Sequence, residues 1–183
     1  MELIGTYIEN LFIIQTDIYS DSRGAFYRTY CKSEFEKMEV HDSFIQSNIS
    51  HNIKKGQVRG MHMQIPPYAE SKIVRCVRGK IFDVAVDLRK GSSTFLRYYG
   101  IELTAENGLA LIIPEGFAHG FQVLEEESTM LYMHSVEYKP EYEFSISCQD
   151  PKIGIVWPFE VIGLSEKDHS VKFLDDGFEG IEL

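Results

Sequence analysis

The chain reads as an all-β fold with a few short helices, arranged as a sandwich, jelly roll or barrel. Three observations predict this. Short runs rich in Val, Ile, Phe and Tyr recur about every ten residues, Gly, Pro, Ser and Asn turns separate them, and helical periodicity is confined to two short stretches. The run SFIQSNIS (43–50) sets Phe44, Gln46 and Asn48 against Ile45, Ser47 and Ile49, the period of a half-buried strand. SKIVRCVRG (71–79), KIFDVAVDLR (80–89), FLRYYGIELT (95–104) and LALIIP (109–114) follow as further strands. KSEFEKM (32–38) and SEKDHSVKFL (165–174) are the helix candidates, and the acidic tail DDGFEGIEL (175–183), with two glycines, is expected to be loosely ordered. There is no internal repeat, low-complexity segment or linker, so one domain is expected over residues 1–183.

Composition narrows the function. Apolar residues make up 44% of the 183 residues and aromatics 13%, enough for a substantial core. The formal net charge of −10 argues against general nucleic-acid binding, so an anionic ligand would need a local cluster of Arg and Lys. No run approaches the ~18 apolar residues of a membrane span, and MELIGTYIENLF lacks the basic-then-apolar order of a signal peptide. Cys31, Cys76 and Cys148 are scattered and odd in number, which predicts a reducing compartment, the cytoplasm.

Two histidines carry local grammar. In GLALIIPEGFAHGFQV (108–123), Gly108 is followed by Pro114, Gly116 and His119 at the spacing G-x5-P-x-G-x2-H, which resembles the second cupin motif, although Val123 stands at its final Asn. Pro114 and Gly116 would turn the chain so that the next strand points His119 into a barrel mouth. The same spacing also fits a buried structural histidine after a turn. In VRGMHMQIPP (58–67), Gly56 and His62 begin the first cupin motif, G-x5-H-x-H, but Gln64 replaces its second histidine. Glu70 lies one residue beyond the usual acidic position. A metal cupin needs three or four convergent ligands, so the metal reading is weakened and His62 stays open between base, ligand and core residue. His41, His51, His134 and His169 show no ligand spacing and are expected on the surface or in loops.

Arg59 precedes His62, Lys72 follows it, and Tyr132 and Tyr138 lie in and after the run TMLYMHS. An imidazole, an amine and a phenol in one apolar barrel are what carbanion chemistry uses: a base beside a carbonyl, a cation for the enolate and an acid on the other face. Each is equally readable as an ordinary strand residue.

Taken together, DSRGAFYRTY, FIQSNIS, VRGMHMQIPP, SKIVRCVRGKIFDVAVDLRKGSSTF, LTAEN, IPEGFAHGF, LYMHSVEYKPEYE and DPKIGIVWP resemble the dTDP-4-dehydrorhamnose 3,5-epimerases and their sugar-nucleotide relatives, in family order from about residue 12 to 158. The resemblance implies a cupin jelly roll forming a homodimer with N-terminal strands shared between subunits. It also implies a nucleotide-diphosphate sugar as substrate, and no metal or other cofactor. It assigns His62 as base, Asp168 as the carboxylate orienting it, Lys72 as the cation at the C4 oxygen and Tyr132 as general acid. His119 falls deep in the same pocket and Tyr138 in the sugar site. Arg23 and Arg59 fall at the pyrophosphate, and Phe26, Gln46 and Asn48 at the nucleotide.

The chain departs from the family where R-G-x-F-x-E becomes Arg23-Gly24-Ala25-Phe26-Tyr27-Arg28. A glutamate that accepts the thymine N3–H is replaced by a donor. Arg28 matches the two acceptors of guanine O6 and N7, so the expectation is a GDP-linked 4-keto-6-deoxy sugar or heptose. The alternatives are the dTDP-linked substrate of the family proper and a metal-dependent cupin isomerase. A second departure is Met133-His134, where the family has Lys after the tyrosine.

Overall fold

The structure, a computed structural model, describes residues 1–40 and 43–183. His41 lies outside the described residues. The strands are β1 (Glu2–Gly5), β2 (Phe12–Gln15), β3 (Tyr19–Asp21), β4 (Gly24–Phe26), β5 (Gln46–Asn52), β6 (Val58–Gln64), β7 (Lys72–Arg78), β8 (Lys80–Asp87), β9 (Tyr98–Thr104), β10 (Leu109–Ile113), β11 (Phe117–Val123), β12 (Ser128–His134) and β13 (Glu143–Ser145). Two short helices, α1 (Lys32–Lys37) and α2 (Glu166–Ser170), complete the elements used below.

The strands form two antiparallel sheets, one ordered β1-β2-β10-β7-β12-β5 and the other β13-β6-β11-β8-β9, with β3 and β4 as a separate hairpin. This is the cupin jelly roll that the resemblance implied. Between the sheets lies an apolar layer that includes Val74, Met130 and Leu111 from the first and Ala85, Leu103 and Phe121 from the second. Two further apolar layers cover the outer faces. Phe35 of α1 packs with Ile14, Ile73 and Ile112 on the six-stranded sheet. Trp157, Leu174, Phe178 and Ile181 pack over Met61, Met63, Val84 and Val86 on the five-stranded sheet.

Alternation along the strands decides which side chains reach the interior. On β12, Met130 packs in the inter-sheet layer together with Tyr132, whereas Met133 packs outward beside Ile73 and Phe44. This accounts for Met133 where the family has Lys: the position belongs to the apolar layer under α1.

Strand β6 breaks its own alternation. Its partners on β11 are His119 for His62 and Phe121 for Arg59, so three steps on one strand match two on the other and the register shifts between them. Gly60 sits at the irregularity with φ of 123°, and a Cβ there would lie 2.5 Å from the Gly120 Cα. Only glycine accommodates that contact, and the bulge lets Arg59 and His62, an odd number of residues apart, both line the interior cavity. At the turn before β11, Gly116 has φ of 82°, as the Pro-x-Gly reading required.

Two expectations are corrected here. The tail over 175–183 is not loose, because Ile181 bridges Arg89, its N–H donates to Leu88 O at 2.7 Å, and Phe178 and Ile181 are packed into the outer layer. Two apolar side chains in nine residues were enough to dock an otherwise acidic segment. The 43–50 run turns Phe44 and Gln46 to its half-buried side and leaves Ile45 and Ile49 62% and 63% exposed. β5 is the edge of its sheet, where alternation carries no guarantee of burial. The second helix is also shorter than expected, ending at Ser170.

Candidate active site

A cavity of about 550 Å³ opens between the sheets, a size that suits a sugar-sized ligand. One wall comes from the five-stranded sheet and the C-terminal segment, with Arg59, His62, His119, Glu143 and Asp168. The opposite wall comes from the six-stranded sheet and its approach loop, with Glu70, Lys72, Tyr132 and His134.

His62 is held by a short helix. Ser165 caps α2 by accepting from the Asp168 N–H at 3.0 Å, which fixes Asp168 on the first turn. The Asp168 carboxylate then lies 2.6 Å from His62 Nε2. Burial would raise the Asp168 pKa, but the hydrogen bond and charge of His62 outweigh it and hold the carboxyl below its ordinary value. An ionised Asp168 accepts the Nε2–H and leaves Nδ1 as the free nitrogen of the ring.

His119, directly opposite His62 on the neighbouring strand, pairs with buried Asp83 on β8 at 2.8 Å. Both cupin-motif histidines are therefore committed to a carboxylate. Gln64, at the position of the motif's second histidine, fastens loops instead. Its amide donates to Tyr68 O and Glu137 O at 3.3 Å each and accepts from the Lys139 N–H at 2.5 Å. Glu70 accepts from Lys72 Nζ and from His134 Nδ1, at 2.8 Å each. Burial works to raise Glu70, yet the His134 and Lys72 contacts prevail and hold it down to about 2. Among the described residues, no group of three or more His, Cys, Asp or Glu is arranged to hold a metal ion.

Tyr132 stands between two imidazoles, edge-on to His119 at 5.9 Å and stacked on His134 at 5.9 Å and 11°. Burial, with nearby Asp83 adding to it and Arg59 opposing, pushes its phenol well above the ordinary value, so it stays protonated. Tyr138, exposed at the mouth, donates to Glu143 at 2.6 Å, and that bond raises its pKa to about 12. Lys167 Nζ closes on the other Glu143 oxygen.

The structure thus brings His62, Lys72, His119, Tyr132, Asp168, Arg59, Asn48 and Tyr138 to one cavity. Gln46 stands just behind it, accepting from the Tyr138 N–H at 3.1 Å. It does not bring Arg23, Phe26 or Arg28 there. Arg23 pairs with Asp21 at 2.6 Å, Phe26 is 73% exposed, and Arg28 pairs with Glu34 beside the hairpin. The expectation of His134 as a surface or loop residue is overturned: it closes β12 with its side chain 13% exposed, because it falls on the same inward parity as Tyr132. His51 and His169 are exposed, on β5 and α2.

Sequence reading missed Asp83, Glu143, Lys167 and the part played by Glu70 and His134. A signal existed for Asp83. In KIFDVAVDLR it sits in an otherwise apolar run, on the parity of Ile81 and Ala85, which both pack inside. A buried acid at such a place requires a partner.

The model of the dTDP-4-dehydrorhamnose 3,5-epimerase family matches residues 5–176. The dTDP-4-dehydrorhamnose 3,5-epimerase of Shigella flexneri is 42% identical over 177 residues, covering 96% of this chain and 97% of that one. The crystal structure of a Legionella pneumophila dTDP-6-deoxy-D-glucose-3,5-epimerase, in complex with dTDP-4-keto-L-rhamnose, superposes with a TM-score of 0.92 at 40% identity, over 100% of this chain and 98% of that one. A 3'-monoepimerase from Streptomyces bikiniensis, in complex with dTDP-quinovose, superposes with a TM-score of 0.87 at 31% identity, over 93% and 86% of the two chains. Matched along nearly its whole length in sequence and in fold, the chain belongs to the dTDP-4-dehydrorhamnose 3,5-epimerase family and is a sugar-nucleotide epimerase.

Proposed function

We propose that this chain is a dTDP-4-dehydrorhamnose 3,5-epimerase, inverting C3 and C5 of a dTDP-linked 4-keto-6-deoxy sugar. The observation that carries the reading is that His62 and Tyr132 line one cavity from opposite sheets, so that a sugar ring between them is reached from both faces. The 4-keto group acidifies the protons at C3 and C5. His62 Nδ1 removes one of them, and the electron pair moves into the C4 carbonyl to give an enolate. Lys72 Nζ stabilises the developing oxyanion, and Tyr132 delivers its phenolic proton to the opposite face of the same carbon, inverting it. The phenolate regains a proton from solvent and the imidazolium releases one. Asp168 orients His62 and stabilises its charged form. Arg59 at the rim holds the diphosphate, and Tyr138 with Asn48 flanks the sugar and nucleotide.

This reading displaces the GDP-linked one. The Arg28 guanidinium is engaged by Glu34, and the liganded relatives carry dTDP sugars. Arg23, Phe26 and Arg28 join a site only through a second copy, and we infer a homodimer in which the β3–β4 hairpin crosses to its partner. Residues 1–183 then act as one epimerase domain. Free Cys31, Cys76 and Cys148 support a cytoplasmic setting. No helix among the described residues is long and apolar enough to cross a membrane.

The test is incubation with dTDP- and GDP-linked 4-keto-6-deoxy sugars in D₂O, followed by NMR. Deuterium entering at C3 and C5 of the dTDP sugar, with inversion at both, is the expected result. Turnover of the GDP sugar alone, or exchange at neither carbon, overturns the reading.

A further inference from the structure

The cation proposed to meet the enolate shares its carboxylate contact, the only one among the described residues, with a histidine. Lys72 opens β7 and His134 closes β12, and the two are direct partners across the ladder. Tyr132 lies two residues before His134 and therefore on the same face. Glu70, at the end of the loop into β7, reaches back between them. One of its oxygens takes the Lys72 ammonium at 2.8 Å and the other takes His134 Nδ1 at 2.8 Å. The carboxylate and the ammonium are each less than a tenth exposed, so water is a poor substitute for either contact. The His134 ring also lies parallel to Tyr132.

Building on the proposed epimerase reaction, we infer that His134 is a positioning residue: by occupying one Glu70 oxygen it holds Lys72 to a single carboxylate contact, leaving the rest of the ammonium to face the C4 oxygen. A lysine ammonium has three N–H groups, and a carboxylate with both oxygens free can draw in two of them. With Oε2 occupied by His134, Glu70 neutralises Lys72 without enclosing it. Removing the imidazole leaves a buried oxygen without that partner, and Lys72, already 2.8 Å from the other oxygen, is a donor that can turn to it. The ammonium would turn from the cavity toward Glu70, and the enolate would lose part of its stabilisation. The stack on Tyr132 gives the same imidazole contact with the proposed acid, so one ring touches both the acid and the support of the cation.

The experiment compares His134→Ala and His134→Asn, each alone and with Glu70→Gln, on the dTDP-linked 4-keto-6-deoxy sugar. An asparagine amide can place a donor near the Nδ1 position without the ring. Loss of one hydrogen bond to a charged group predicts about a tenfold fall in kcat for H134A, with KM within about twofold. H134N should recover most of that loss, and H134A should add little in the E70Q background, because both changes act through Glu70. Unchanged kcat in H134A, no recovery in H134N, or additive losses in the double variant overturns the inference. One readout needs neither turnover nor the variants at 134. ¹⁵N NMR of the wild type should show His134 Nδ1 protonated and in a hydrogen bond whose signal moves when E70Q replaces the charged acceptor. A spectrum that E70Q leaves unmoved rejects the bond, including in the case where H134A fails to fold. If the wild type does not turn over the sugar, the reaction assignment fails, and the spectrum alone decides whether His134 is bonded to Glu70.

Discussion

The inter-sheet cavity and the β3–β4 hairpin hold residues assigned by resemblance to a single site, yet the chain treats them in opposite ways. In the cavity the catalytic charges are answered from within the same chain: His62 by Asp168, His119 by Asp83, and Lys72 and His134 by Glu70. Ladder register, a capped helix turn and the loop into β7 set these contacts, and most of the groups are buried. On the hairpin, among the described residues, Arg23 finds only Asp21 two residues away, Phe26 stands in solvent, and the two strands pair with nothing but each other. The difference separates two jobs. Proton transfer needs groups fixed to a fraction of an ångström, which a sheet pair supplies. Holding a nucleotide tolerates an exposed element, and the proposed homodimer would supply that element from the other copy.

The largest test of that division is His62→Ala. It should lower deuterium exchange at C3 and C5 by roughly 10²–10⁴, while dTDP affinity measured by calorimetry changes little. Equal losses in exchange and in affinity would mean that the cavity also does the holding. Tyr132→Phe keeps the ring and removes the O–H. NMR should then show exchange that continues while inversion falls by about 10², the sign of a lost acid on one face alone.

Arg23→Ala addresses the hairpin. It should raise KM about tenfold with kcat nearly kept, as expected for one charge-assisted contact to a diphosphate. Mixing it with His62→Ala after partial unfolding and refolding should, at low substrate, raise activity above the sum of the two variants, because one site of the proposed mixed dimer is then intact. No such rise would place hairpin and cavity in the same copy.

Acid separates the two regions by stability. Glu70 is held at about 2 against an ordinary 4.5, so its contribution is fully present above pH 4.5 and is lost as pH falls toward 2. Asp168, also lowered, acts in the same direction. The melting temperature should be flat near neutrality and drop below about pH 4.5, and Glu70→Gln should flatten the drop. The exposed Asp21–Arg23 pair should contribute almost nothing, so Asp21→Asn leaves the profile in place. The smallest effect is expected at Arg28, where replacement by Glu should leave dTDP preferred over GDP in calorimetry. A reversal of that preference would restore the guanine reading.

Much of this was legible in the sequence because strands and turns declare themselves locally. The four strand runs from 71 to 114 coincide with β7 to β10 within a few residues at each end, and Pro114-Gly116 announced the turn that introduces His119. Motif order assigned His62, Lys72 and Tyr132, and the fold gathers them. What could not be read was pairing across distance. Nothing local ties Asp83 to His119 or Glu70 to His134, since those contacts depend on which strands become neighbours. Burial of the tail was misjudged for a related reason. It depends on whether another element is there to receive the segment, and hydropathy alone does not record that.

Gly60 sets a condition on any attempt to move this site to another scaffold. Strand parity is a two-letter code, and on β6 the bulge is the place where the code skips a letter, so that Arg59 and His62 read on the same side. A graft that copied the residues of β6 onto a regular strand would keep His62 inward and send Arg59 into the layer beneath Trp157 and Phe178. The irregularity, which carries no chemistry of its own, is therefore as much a part of the transferable unit as the histidine it serves.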